Sequence, residues 1–199
     1  ESSEWKEFAG ASNLIGWRFR AASEDWDTYR RSWNERGALV SHEGIYEREK
    51  ALFGMFSASV SCMDSTAYAI AALTSHPSVL GLPFGPKEQR ACNLGRLNEW
   101  LVQIAPATGL SSALHNACIS DEWRLLVDLR NRMSHRSNLP RIITASLGAP
   151  SPPAKALHFA ATSSTPPVEG ELPFFDALHT WLAETLKLLL IEGARVCPP

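Results

Sequence analysis

The chain has 199 residues, with 19 Lys and Arg against 21 Asp and Glu, a net charge of -2, 45% apolar and 20% charged residues. That composition excludes wholesale disorder and fibrous repeats, and the slightly acidic balance excludes a strongly basic nucleic-acid scaffold. The length suits one domain, 1–199, able to bury a core without metal or disulfide support.

Four cysteines, Cys62, Cys92, Cys118 and Cys197, are widely spaced and form no C-x-x-C. They read as reduced thiols of a cytoplasmic protein. No Cys or His has a partner at ligand spacing, so neither zinc nor another metal is expected. The most apolar stretch, Ala51 to Leu73, carries Asp64 and several Ser and Thr. It reads as a buried core helix rather than a membrane span.

In chain order, Ser3 to Phe19 is mixed, with Trp5, Phe8 and Ile15 as core contacts. Ser23 is an N-cap candidate for a helix reaching Arg36, because Trp26, Tyr29, Arg30 and Trp33 recur at helical spacing. Gly37 can end it. A long helix is predicted from His42 to Leu73, with Leu52, Met55, Phe56, Val60, Met63, Ala67 and Ile70 on its apolar stripe. The small residues Gly54, Ala58, Ser59 and Ala71 let another helix approach it. Pro77, Gly81, Pro83, Gly85 and Pro86 mark a loop.

A helix from Lys87 to Gln103 follows, with Leu94, Leu97, Trp100 and Leu101 inside and Pro106 as its stop. Ser111 to Ala117 adds a turn or two. Asp121 is an N-cap candidate for Glu122 to His135, which buries Trp123, Leu126, Val127 and Met133 in some combination. Residues 139–173 form a proline-rich excursion, in which 142–146 and 156–160 are short apolar runs able to pair as a hairpin. Pro173 then precedes a last helix, Phe174 to Arg195, with Phe175, Leu178, Leu182, Leu186 and Leu189 at helical period. The expected fold class is mainly α: a bundle of about five helices with a small β-hairpin before the last one.

No phosphate loop, G-x-S-x-G, H-E-x-x-H or dinucleotide fingerprint is present, so no cofactor is expected. One constellation carries chemistry: Arg130-Asn131-Arg132-Met133-Ser134-His135, at the C-terminal end of a predicted helix. A neutral His can take the proton of a ribose 2′-hydroxyl, and a protonated one can give a proton to the leaving oxygen. Arg can hold a phosphate and offset charge growing on it. Asn131 and His135 share a helix face, whereas Arg130 and His135 lie roughly 140° apart at about 100° per residue. They can meet on one phosphate across a groove, at a frayed end, or with a second copy of the site. The loose pattern of Arg and His a few residues apart is common, and Arg36 with His42 also fits it. Asn directly after Arg makes the 130–135 form more selective.

This segment resembles the signature of the HEPN superfamily (higher eukaryotes and prokaryotes nucleotide-binding domain). The resemblance covers the motif, the helical setting and the long small-residue-rich helix before it. It implies a helical bundle that dimerises and brings two motifs into one cleft. Many members are metal-independent endoribonucleases acting as toxins, in phage defence or in RNA processing; others are inactive and bind nucleotides, RNA or protein partners. Carried over, Arg130 and His135 are the catalytic pair, and Asn131 orients the site. A separate antitoxin or regulatory chain is a further partner the resemblance implies. The proline-rich excursion is longer than a simple bundle needs, and no nucleotidyltransferase domain is fused.

Around the motif, Arg132, Arg136 and Arg141 add positive charge, and Arg132 and Arg136 are candidate substrate-binding residues; a solvated helix face explains them equally. Asp64 stands alone among uncharged residues. It is either a solvent-facing carboxylate or a buried one paired with Arg130, fixing its rotamer. His76, His115, His158 and His179 have no partner at useful spacing. The seven Trp read as core residues rather than stacking platforms.

Overall fold

The computed structural model describes residues 2–37, 41–135, 141–142, 158–159, 168–169 and 171–198. Among these are seven helices: α1 (Ser3–Arg36), α2 (His42–Ser75), α3 (Pro86–Ala91), α4 (Leu94–Ile104), α5 (Gly109–Ile119), α6 (Asp121–His135) and α7 (Glu171–Arg195). The mainly α class holds, with more helices than the five expected.

The first correction concerns α1. It is one helix of 34 residues, capped by Ser2, whose side chain accepts from the Trp5 N–H. Ser23 is not an N-cap. Its hydroxyl turns back to the Phe19 carbonyl at 3.0 Å and meets His179 Nε2 at 2.9 Å. A serine inside a helix satisfies itself on the preceding turn. Gly37 does end the helix, at φ 62°, a left-handed conformation that costs glycine little, and its N–H bonds Trp33 O at 2.8 Å.

Helices α1 and α2 run antiparallel side by side. Glu7 meets Tyr68, Arg18 meets Ser61 and Ser65, and Arg36 meets Glu47. Gly54 permits the closest approach: a Cβ there would strike the Asp25 carboxylate. Near the turn, Arg48 is fully buried. Its Nη2 donates to Ser32 O at 2.7 Å and Gly37 O at 2.8 Å, its Nε donates to Ser32 Oγ at 3.1 Å, and its guanidinium lies 5.0 Å from the Trp33 ring centroid. One side chain thus donates to the carbonyl of Ser32 in the last turn of α1 and to that of Gly37, which lies beyond the helix.

The core has two parts. One gathers Met63, Ala67 and Ile70 of α2 with Leu97, Leu101, Leu114 and Leu186. The other is aromatic: Trp26, Tyr29, Phe56 and Phe175 close on Leu126 and Leu129 of α6. Phe175 stands edge-on to Tyr29, with centroids 5.6 Å apart at 86°. This second core holds the helix that carries the Arg-Asn motif. Trp33, Trp100, Trp123 and Trp181 pack partly buried against the core, but Trp5 and Trp17 do not: they are 51% and 70% exposed. The expected Trp5 core contact is therefore wrong, because Ile15 and Ala11 occupy the inward stripe of α1.

Three further boundaries differ. The helix expected over 87–103 is two, because Cys92 is extended and Asn93 caps a new start, its Oδ1 accepting from Arg96 N at 3.0 Å. Ser120, not Asp121, caps α6, accepting from Trp123 N at 3.2 Å. Pro173 lies inside the first turn of α7, where a missing N–H leaves no bond unmade. In the excursion, β1 (Arg141–Ile142) pairs antiparallel with β2 (His158–Phe159), and β2 with β3 (Val168–Glu169). The remainder of the expected hairpin, 143–146 with 156–157 and 160, lies outside the described residues.

All four cysteines are free. Among the described residues no helix is long and apolar enough to cross a membrane, and no three His, Cys, Asp or Glu cluster as metal ligands.

Candidate functional site

Helix α6 buries Leu126 and Leu129 and carries Arg130 and Asn131 half-buried beside them. Ser134 and His135 are exposed at its end. The helix is continuous through His135, so Arg130 and His135 project about 140° apart within one chain. Arg132 and His135 also lie in the last turn, where positive charge is favourable to the helix dipole. Arg132 is half-buried; Arg136 lies outside the described residues.

Two polar atoms of α6 are buried without a hydrogen-bond partner among the described residues: Arg130 Nε and Asp128 Oδ2. An unpaired buried donor on a guanidinium is costly in a plain core.

Asp64, on α2, is not the solvent-facing carboxylate that one reading allowed. It is partly buried, and its Oδ1 accepts from Leu94 N at 3.4 Å, at the start of α4. Burial pushes its carboxyl above the usual value; the Leu94 N–H and then the charges of Arg130 and Arg18 pull the other way. Asp64 and Arg130 are therefore electrostatic neighbours across the α2–α6 contact.

On its other side Asp64 lines a cavity of about 560 Å³ between α1 and α2. Lys6, Glu7, Gly10 and Arg18 form one wall, and Asp64 and Tyr68 the other. Arg18 Nη1 is held by Ser61 O at 2.9 Å and Ser65 Oγ at 2.5 Å, and Tyr68 donates to Glu7 Oε2 at 2.8 Å. Cys92, also in the wall, is pushed to about 12 by burial and then by Asp64; burial and Glu7 push Tyr68 to about 12. Neither is an anionic nucleophile at neutral pH.

Sequence reasoning missed Glu7, Gly10 and Arg18. They fall on one stripe of α1 at helical spacing, a signal lost when the segment is not taken as one helix. The chain matches no protein-family model, no curated protein and no solved structure.

Proposed function

We propose that the protein is a metal-independent endoribonuclease of HEPN type, acting as a homodimer. The observation that carries this reading is the placement of Arg130. Its guanidinium has a buried Nε without a hydrogen-bond partner among the described residues, its charge acts on the carboxylate of Asp64, and it stands near the end of a helix whose last residue is an exposed His135. Because the two side chains diverge on one straight helix, one phosphate is served by motifs from two copies.

In this mechanism a neutral His135 accepts the ribose 2′-hydroxyl proton. The 2′-oxygen attacks the adjacent phosphorus, and the bond from phosphorus to the 5′-oxygen breaks. The protonated His135 of the second copy supplies the proton to that departing oxygen, leaving a 2′,3′-cyclic phosphate and a 5′-hydroxyl. Arg130 stabilises the charge on the non-bridging oxygens. Asn131 orients one of these groups, Asp64 positions Arg130, and Arg132 and Arg136 contact neighbouring phosphates. A toxin, defence or RNA-processing role fits such an activity, with a separate chain restraining it.

The half-burial of Arg130 also favours a second reading: a catalytically inert helical dimer that binds a nucleotide, RNA or a protein partner. Incubation with total cellular RNA in excess chelator separates the two, beside folded His135→Ala and Arg130→Ala variants. The nuclease reading expects wild-type cleavage to cyclic-phosphate ends, reduced about 100-fold or more in either variant. Equal cleavage by the variants sinks the proposed mechanism. No cleavage by any of the three moves the reading to the inert dimer.

A further inference from the structure

The cavity between α1 and α2 has the carboxylate of Asp64 on one wall and the guanidinium of Arg18 on the other, with Glu7 engaged by Tyr68. Asp64 Oδ1 is engaged by Leu94, while its Oδ2 has no hydrogen bond among the described residues. Arg18 uses Nη1 on Ser61 and Ser65, leaving Nη2 and Nε to donate elsewhere. A carboxylate beside a guanidinium matches an edge with two donors next to one acceptor. Among nucleobases that is the edge of guanine: N1–H and the 2-amino group for the carboxylate, O6 for the cation. Adenine presents the opposite order and leaves both protein groups unpaired, which a polar site penalises heavily. The volume, about 560 Å³, is that of a small-molecule site, and Leu14 of α1 gives it an apolar surface for a ring face. Trp17, 70% exposed, stands one turn beyond Leu14 on the same helix.

We infer that this cavity takes a guanine base, read by Asp64 and Arg18. The charge of Arg130 also acts on Asp64, though Arg130 does not itself line the pocket. The inference rests on the nuclease reading in naming guanine as the base beside the scissile phosphate. Its test needs no cleavage.

Calorimetric titration with guanosine, inosine and adenosine 5′-monophosphates holds the sugar and phosphate constant. Guanosine is expected to bind at least about tenfold tighter than adenosine, with inosine, which lacks the 2-amino group, between them. Asp64→Asn is expected to abolish that preference while keeping an acceptor for Leu94 N. Gly10→Leu gives a second arm. A Cβ at Gly10 meets nothing within 4 Å, so the backbone accepts it, and the longer side chain intrudes on the cavity and is expected to weaken binding at least about tenfold without lowering the melting temperature. Equal affinities for the three nucleotides, no saturation by guanosine monophosphate up to about 5 mM, or a preference untouched by Asp64→Asn overturns the inference. Guanine-selective binding without RNA cleavage keeps the pocket and removes the nuclease; cleavage without guanine selectivity does the reverse.

Discussion

Asp64 of α2 and Arg130 of α6 are 66 positions apart, and the positive charge of Arg130 acts on a carboxyl that burial holds above its ordinary value. The charge of the pair links the proposed catalytic helix to the cavity, since Asp64 lines the cavity.

This neighbourhood sets an unusual pH dependence. A carboxyl raised in the folded state binds its proton more tightly there than in the unfolded chain. Its contribution is fully present below the unfolded value and is lost as pH rises through the folded one. Asp64→Asn cannot titrate and does not suffer that loss. Wild type is therefore expected to lose stability relative to Asp64→Asn as pH rises above the unfolded value of about 4, measured by urea unfolding. A gap independent of pH would show that the carboxyl is not desolvated.

Arg48 offers a sharper stability test. Arg48→Ala leaves the Ser32 and Gly37 carbonyls without their buried donor and opens a void beside Trp33. The expected cost is about 3–4 kcal/mol, above the usual surface substitution. Arg48→Lys restores charge but not the fork that reaches both carbonyls, so it recovers only part. A loss below about 1 kcal/mol for Arg48→Ala would contradict the clasp.

The contact of Ser23 with His179 joins α1 to α7. The His179 ring stacks on Phe19, with centroids 5.6 Å apart, and burial lowers its pKa, against the opposing pull of Asp176 and Asp27, with Arg30 lowering it further. The neutral ring is favoured in the folded state, so its contribution is present above the unfolded value of about 6.5 and is lost as pH falls through the folded one. Ser23→Ala is expected to cost about 1 kcal/mol near neutral pH. His179→Gln is expected to flatten the stability profile as pH falls below about 6.5, and an unchanged profile would assign the acid sensitivity elsewhere.

The regular 3.6-residue stripe of α2 was legible because burial on one side demands it, and its residues from Leu52 to Ile70 are indeed core. Helix α1 was harder. Between Ala9 and Ser23 its large apolar residues, Leu14, Ile15, Trp17 and Phe19, are interspersed with Ala, Gly, Ser, Asn and Arg and do not keep to one helical stripe, and Ser23 imitated a cap. Its helicity comes from packing along α2 rather than from its own stripe. The break at Cys92 was hidden because no Gly or Pro marks it, and the clear apolar rhythm of Leu94, Leu97 and Leu101 begins directly after it. At the candidate site, Arg130, Asn131 and His135 could be found as neighbours in sequence. The cavity could not, because Glu7 and Tyr68, or Arg18 and Ser65, meet only once two helices pair.

The antiparallel pairing of α1 and α2 also orders their assembly. Partners are 11 residues apart in sequence at Arg36 and Glu47, 16 at Ser32 and Arg48, and 61 at Glu7 and Tyr68. Each pairing shortens the loop left for the next, so closure spreads from the Gly37 turn like a zip and reaches the cavity last. The pocket therefore lies at the ends of the hairpin far from Gly37, with the inner side of α2 packed there on the main core. A base seated there bridges both strands of the zip, and its binding energy also works to keep the two helices closed.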